Sequence, residues 1–203
     1  MFINRVCLTA LMLVLIVLYS GLVGAVLPVA DVQLNQPSLP VDAGCRLSTG
    51  GGMIDYGNQS RWQLQAASSG GNTLTPGKRT ITLSVVCPYT QPLRLSMHGD
   101  RAANGALRYG YRGSTIVRLF DMQLDGQSVQ IMNVTPSGAI NGTATDTYLL
   151  KPGETVAATL NGRLARGKVL TARLEIEPIM TNEEARVTMG TIKESLLTLE
   201  LVN

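Results

Sequence analysis

The stretch from Cys45 to Cys87 constrains the fold of this chain most strongly. Cys45 precedes a run of three glycines, Gly50 to Gly52, and Cys87 ends the run Thr80–Cys87, in which polar and apolar side chains alternate. Alternation with a period of two is typical of a β-strand with one buried face. A bond between the two cysteines would tie the start of a β domain to one of its core strands.

Residues 1–25 have the three-part build of a secretory signal peptide. Arg5 is the only charge before an apolar run from Leu8 to Tyr19, and Ala25 ends a segment of small residues. We predict cleavage after Ala25, so that the mature chain is exported and begins at Val26. The alternative is an uncleaved membrane anchor, because residues 6–30 are apolar over a length that could span a bilayer.

Export determines whether the cysteines are expected to form a disulfide. Cleavage removes Cys7 and leaves Cys45 and Cys87 as the two cysteines of the mature chain. An even number of cysteines in an exported domain predicts a disulfide. We therefore expect a Cys45–Cys87 bond.

Composition narrows the class of protein. The net charge is only +3, charged residues make up 15% of the chain, and the basic residues are scattered, so no basic patch indicates a nucleic-acid partner. The 21 glycines and the low charge favour a β-rich exported protein over a helical cytosolic enzyme.

Short alternating runs recur along residues 45–203, which we expect to form one domain. Tight turns separate them at Pro76-Gly77, Asp125-Gly126, Asn141-Gly142, Pro152-Gly153 and Asn161-Gly162. Seven strands separated by such turns predict a β-sandwich, with one helical turn at residues 182–186. The predicted strands are Thr80–Cys87, Leu93–Met97, Thr115–Phe120, Ser128–Val134, Thr155–Leu160, Val169–Ile176 and Leu196–Val202.

The segment 26–44 is predicted to be an N-terminal extension. Val32 and Leu34 alternate with polar residues, and Pro37 and Pro40 then interrupt the pattern. Prolines exclude a central strand of a continuous ladder, so the segment is either an edge strand or an extended arm that pairs elsewhere. A flexible terminus is the remaining alternative.

The last predicted strand carries leucines at every second position, Leu197, Leu199 and Leu201. This pattern predicts a core strand at the C-terminal end of the domain. We expect its outer edge to be unpaired within the domain, which is a liability unless another strand covers it.

Together these features resemble the subunits of bacterial chaperone–usher pili, and in particular a fimbrial-like family of Gram-negative bacteria with a Gly-Gly-x-x-Asp-Tyr-Gly signature after its first cysteine. The resemblance covers essentially the whole mature chain. The signature residues here are Gly51, Gly52, Asp55, Tyr56 and Gly57.

The resemblance implies an incomplete immunoglobulin-like β-sandwich with one disulfide that lacks its final strand. It implies a non-enzymatic structural subunit of a surface pilus, or fimbria, exported to the periplasm and then displayed on the cell surface. Its implied partners are a periplasmic chaperone, an outer-membrane usher and neighbouring pilus subunits, joined by β-strand addition. The implied donor-strand residues are Val32, Leu34, Gln36 and Ser38, and the implied acceptor-groove residues are Leu197, Leu199 and Leu201.

Two other functions stay open. The chain could be a single-domain adhesin or another carbohydrate-binding exported β-sandwich that is complete on its own, and an adhesin would engage a host surface receptor. An exported hydrolase is the third alternative. The residues that could form a sugar-stacking platform are Trp62, Tyr89, Tyr109, Tyr111 and Tyr148.

Candidate catalytic and metal-binding residues are few. His98, the sole histidine, could act as a general base oriented by Asp100, but no nucleophile motif accompanies it, and we expect it to face solvent or to cap a strand. We expect Asp55 to bond turn backbone and Tyr56 to pack against the disulfide with its hydroxyl hydrogen-bonded. One histidine and two oxidised cysteines leave few zinc donors, so neither a metal nor a cofactor is expected.

Overall fold

The computed structural model describes residues 44–186 and 192–202, all of which belong to one compact unit, Asp42–Asn203. Within these ranges the chain forms fourteen strands and two 3₁₀ helices, Arg61–Gln63 and Glu184–Arg186, and no α-helix. No helix in the described part is long and apolar enough to cross a membrane. The predicted signal peptide and nearly all of the predicted extension lie outside the described residues, and those boundaries stay predictions.

The larger of two sheets has nine strands, all paired antiparallel. Its centre is the longest strand, β13 (Arg166–Thr181), which pairs with β4 (Arg79–Pro92) on one side and with β7 (Gly113–Leu124) on the other. The strands are β1 (Arg46–Thr49), β2 (Gln65–Ala66), β3 (Thr73–Thr75), β4 (Arg79–Pro92), β6 (Leu107–Tyr109), β7 (Gly113–Leu124), β8 (Gln127–Ser128), β10 (Thr147–Leu150) and β13 (Arg166–Thr181).

The second sheet has five strands in antiparallel pairs. β11 (Thr155–Leu160) lies inside this sheet, and β14 (Thr198–Val202) lies at one edge beside β5 (Arg94–His98). The strands are β5 (Arg94–His98), β9 (Gln130–Val134), β11 (Thr155–Leu160), β12 (Arg163–Leu164) and β14 (Thr198–Val202).

One hydrophobic core lies between the two sheets. Leu83 and Val85 on β4, and Leu95 and Met97 on β5, are buried to within 1% of completely. They occupy alternate positions, as the period-two pattern requires. Because both sheets contribute to the same cluster, the molecule is a β-sandwich, and the predicted all-β class is confirmed.

Every predicted strand coincides with an observed one, and β11 has the predicted bounds. β7 and β13 are considerably longer than predicted. Each pairs with several neighbouring strands, and this pairing stabilises extended backbone at positions where the local sequence does not alternate. Asp125 and Gly126 both have positive φ, 50° and 80°, in the two-residue reversal between β7 and β8. That is the backbone geometry that Asp-Gly favours in a hairpin.

The predicted disulfide is confirmed. Cys45 and Cys87 are bonded, and Cys45 directly precedes β1, whose first residue, Arg46, lies opposite Val86 of β4. The bond therefore reinforces the pairing of an edge strand that has β4 as its only partner among the described strands.

A buried carboxylate holds the segment that joins β2 to β3. Glu177 on β13 is 1% exposed. Its carboxylate accepts hydrogen bonds from the backbone N–H of Ser68, at 2.9 Å, and from the Ser68 hydroxyl, and Lys78 Nζ lies 3.8 Å away. A buried charge is tolerated only when it is hydrogen-bonded or paired, and here it is both.

Removing the disulfide is expected to destabilise the domain by about 4 kcal/mol, because the bond closes a 42-residue loop and restricts the unfolded chain. The measurement is urea unfolding with and without reductant. A Cys45→Ala/Cys87→Ala variant is the control, since its midpoint should not respond to reductant. An unchanged wild-type midpoint in reductant would contradict the expectation.

Glu177→Ala is expected to cost about 1–3 kcal/mol, because the Ser68 N–H loses its acceptor in a buried setting. Asp121→Asn is the matched control. It removes one carboxylate of the exposed Arg173–Asp121 pair and should change the unfolding free energy by less than about 1 kcal/mol. Equal losses from both variants, measured by urea unfolding, would show that burial of Glu177 is unimportant.

Candidate functional site

The C-terminal strand β14 has one hydrogen-bonding neighbour among the described strands, β5. The two strands are antiparallel, with Leu199 opposite Met97 and Leu201 opposite Leu95. Residues directly opposite each other in such a pair project from the same face of the sheet. Leu199 and Leu201 therefore point toward the core, as their partners do.

These leucines are nevertheless much less buried than their partners. Met97 is fully buried and Leu95 is 1% exposed, whereas Leu197, Leu199 and Leu201 are only partly buried against the same core. The difference follows from position, because an edge strand has a neighbour on one side only. The edge thus presents a row of backbone groups together with an incompletely covered apolar row.

The segment that leads into β14 is fixed to the opposite sheet. Ser195 Oγ donates a 2.6 Å hydrogen bond to the Arg108 carbonyl and lies 2.7 Å from Thr115 Oγ1. The Gly110 N–H donates to the Glu194 carbonyl at 3.0 Å. These contacts with β6, β7 and the turn between them set where the chain crosses from one sheet to the other, and so where β14 begins.

At the start of the domain, β1 is a second edge with a partly buried apolar residue. Leu47 lies opposite the fully buried Val85 of β4 and packs against the core. The implied donor residues Val32, Leu34, Gln36 and Ser38 lie outside the described residues. Their role stays a prediction, as does the role of the β14 leucines as an acceptor.

Three of the signature residues, Asp55, Tyr56 and Gly57, form an Asx turn far from the disulfide. The Gly57 N–H donates to Asp55 Oδ1 at 2.7 Å, and Gly57 has a φ of 67°, which favours glycine. The Tyr56 hydroxyl donates to the Ile176 carbonyl at 3.1 Å, and the Arg79 guanidinium lies 5.7 Å from the ring centroid. Gly51 and Gly52 are exposed on the way to this turn.

The expectation that Tyr56 packs against the disulfide is wrong. Arg79, which contacts Tyr56, begins β4, and Cys87 lies eight positions further along that strand, which is about 26 Å at the rise of a β-strand. β1 runs antiparallel to β4, so residues that follow Cys45 move away from Cys87 as the chain proceeds. Tyr56 is therefore close to Cys45 in sequence but far from the disulfide in space.

A cleft of about 920 Å³ opens beside this turn. It is bounded by the loop at residues 54–64, by Tyr109 of β6, and by Lys193 of the segment before β14. Burial raises the pKa of Tyr56 to about 12, although the positive charge of Arg79 acts in the opposite direction. Burial also raises the pKa of Tyr109. Both phenols are thus held in the neutral form, able to donate a hydrogen bond.

The aromatic residues that could form one sugar-stacking platform are divided by the fold. Tyr109 lines the cleft, Tyr111 lines a second, separate pocket, and Trp62 lines neither of them. Tyr148 is elsewhere, on β10, with its hydroxyl hydrogen-bonded to Asn133 at 3.0 Å, and Tyr89 is on β4 past Cys87. The sequence identifies these aromatic residues but does not show which of them lie close together in the folded protein.

The structure does not join His98 to Asp100. His98 Nε2 lies 3.4 Å from Glu200 Oε2, across the β5–β14 pair, and both side chains are at least half exposed. Among residues 44–186 and 192–202, no three histidine, cysteine or carboxylate side chains are grouped so as to hold a metal ion.

Comparisons with known proteins give one structural likeness to report. No protein-family model matches the chain, and no curated protein matches it. A crystal structure of the P pilus rod subunit PapA is similar, with 18% sequence identity and a TM-score of 0.36, over 78% of this chain and 98% of that chain. A likeness of this size assigns neither a family nor a function.

Tyr56→Phe is expected to change the pH dependence of stability. An unfolded tyrosine has a pKa near 10, so the raised folded value means that the folded state holds its proton more tightly. Stability from this group is therefore complete below pH 10 and is lost as the pH rises toward 12. The variant should show a smaller loss over that window, measured by urea unfolding at several pH values.

At neutral pH the same variant should lose about 1 kcal/mol, since the bond to the Ile176 carbonyl is gone. Tyr89→Phe is the control, because Tyr89 is 72% exposed and should behave as wild type at every pH. If Tyr56→Phe and wild type lose stability in parallel above pH 10, Tyr56 does not contribute to the alkaline transition.

Proposed function

We propose that this protein is a structural subunit of a surface pilus or fimbria, assembled by strand exchange. In this proposal the subunit is exported to the periplasm, held by a chaperone, passed through an outer-membrane usher and incorporated into a fibre on the cell surface. It is not an enzyme, and its partners are other copies or related subunits.

The observation that carries the proposal is the contrast across the β5–β14 pair. Leucines on β14 share a face with completely buried residues of β5, yet they remain partly exposed. A further strand beside β14 would pair the backbone groups that no other described strand pairs with, and it would cover this row. Strand addition provides both affinity and specificity, because main-chain hydrogen bonds give the affinity and alternate side chains give the specificity.

The segment 26–44 has the pattern that such a strand requires. Val32, Leu34, Gln36 and Ser38 occupy alternate positions, so that all four would face the same side of an extended strand. Residues two apart in a strand are about 6.6 Å apart, which is also the spacing of Leu197, Leu199 and Leu201. Pro37 lacks a backbone N–H, so one hydrogen bond of the ladder would be missing at this position. The Pro37 ring would project to the side of the strand opposite these four residues.

The disulfide supports export and assembly. It forms only where thiols are oxidised, and it fixes β1, the strand that directly follows this arm. An arm pulled by a neighbouring subunit would transmit the load to Cys45 and, through the bond, to the central part of the larger sheet at β4.

The first experiment is periplasmic expression of the chain with and without a pilus chaperone. Without the chaperone the subunit is expected to aggregate, and a synthetic peptide that copies residues 29–40 is expected to keep it monomeric and raise its unfolding temperature. Binding to the folded state stabilises by about 2.7 kcal/mol at a peptide concentration of 100 times Kd. A chain that is soluble, monomeric and stable with neither partner is complete on its own, and the proposal is then wrong.

Two peptide variants test the register. Leu34→Asp places a charge on the inward side and is expected to abolish stabilisation, whereas Gln33→Asp changes the outward side and is expected to preserve it. The two peptides have the same charge and length, so only the face of the strand differs. Equal effects of the two peptides would exclude an alternating strand that inserts side chains into a groove.

A further inference from the structure

The solvent face of β14 carries a carboxylate, Glu200, at the edge where the proposed strand addition takes place. Glu200 lies between Leu199 and Leu201, which pack against the core, so its side chain projects to the opposite face of the sheet. That side chain is 60% exposed. The carboxylate therefore lies beside the accepting edge but outside the apolar row.

The charge of Glu200 has no permanent cation beside it in the described part of the chain. His98 on β5 places Nε2 3.4 Å from Glu200 Oε2, and an imidazole is charged only when it is protonated. The lysine and arginine salt bridges among the described residues all go to other carboxylates. A cation from another strand would therefore find this carboxylate available.

The larger sheet shows how this fold matches a carboxylate on a strand with two neighbours. Glu175 on β13 lies directly opposite Arg118 of β7, and Arg118 Nη1 is 2.8 Å from Glu175 Oε1. From the other side Lys78, which directly precedes β4, places Nζ 3.2 Å from the same oxygen. Glu175 thus receives a cation from each flank, whereas β14 has only one described neighbour, β5.

The chain's own candidate donor does not supply the missing cation. Segment 26–44 contains two carboxylates, Asp31 and Asp42, and no lysine or arginine. With Val32 and Leu34 facing inward, the outward residues are Asp31, Gln33, Asn35 and Pro37. Opposite charges that face each other across a strand pair stabilise it, and like charges destabilise it. A second copy of this chain would therefore leave Glu200 unmatched.

We infer that the strand that β14 accepts best comes from a different polypeptide and carries a lysine or arginine on its outward side, opposite Glu200. The inference rests on the proposed function, because it names the partner of the same edge. The added cation would stand to Glu200 as Arg118 stands to Glu175. Inward side chains decide whether a strand fits, and the outward charge decides which of the fitting strands binds more tightly.

Competition between synthetic peptides tests the inference. The mature chain is bound to a fluorescein-labelled peptide that copies residues 29–40, and unlabelled peptides displace it while the fluorescence anisotropy is recorded. The competitors are the native peptide and its Gln33→Lys/Asn35→Lys variant, which differs on the outward side only. At pH 8, where imidazole is mostly neutral, the lysine peptide is expected to compete about threefold better, as one cross-strand charge pair provides.

Variants of the protein locate the effect at Glu200. Glu200→Gln is expected to remove the advantage of the lysine peptide, and Glu200→Lys is expected to reverse it in favour of a Gln33→Asp/Asn35→Asp peptide. Asp121→Asn is the matched control, because it removes an equally exposed carboxylate, 58% against 60%, from the larger sheet. It should keep the full advantage. Urea midpoints close to wild type establish that each variant is folded.

The outcomes separate this inference from the proposed function. If the native peptide binds and the lysine peptide competes no better, strand addition stands and the inference is wrong. Equal effects of Glu200→Gln and Asp121→Asn would also overturn it, since net charge alone would then explain the preference. A native peptide that competes better than the lysine peptide would identify a second copy of this chain as the partner. If no peptide binds, both the inference and the proposed function are wrong.

Discussion

Strand β4 pairs with β1 along one edge and with β13 along the other, and a single buried residue, Leu93, joins it to β5 in the opposite sheet. Leu83 and Val85 supply the centre of the core from this strand, and Cys87 carries the disulfide. Because β4 leads directly into β5, it also sets the position of the strand on which β14 pairs. The two edges of functional interest, β1 and β14, thus depend on one continuous stretch of chain.

The edge at β14, which no second strand of the described residues pairs with, is of a kind that β proteins usually protect. Natural β proteins shorten, charge or cover such edges, because unpaired backbone groups invite a further strand. Here Glu200 and His98 place polar groups on the outer face, while the inner face carries Leu199 and Leu201 against the core. Polarity is thus confined to one side, and the other side remains suited to burial by an added strand with alternating apolar residues.

The cleft lies at the other end of β4 from the disulfide, where Tyr56 bonds the backbone of β13 and lies beside Arg79. It is built from loops and strand ends rather than from a strand edge.

The sequence by itself determined the properties that are local or that depend on composition. Alternation of leucine and valine with threonine and serine predicted the strands, Asp125-Gly126 predicted a reversal with positive φ, and two remaining cysteines predicted their own bond. These succeed because a strand or a tight turn is fixed by neighbours in sequence. The length of β13 and the existence of β10 were not predictable in this way, since both depend on pairing with distant strands.

Only the tertiary structure decided which of the leucines are partly exposed, because burial depends on whether a second neighbour covers the strand. It also placed Tyr56 away from the disulfide, since the antiparallel course of β1 carries the chain toward the start of β4. It placed Tyr109 in one cleft with the loop at residues 54–64, and it buried Glu177 with a hydrogen-bond partner, Ser68, more than a hundred residues earlier. Each of these is a contact between residues far apart in sequence, which the order of residues does not specify until the strands have paired.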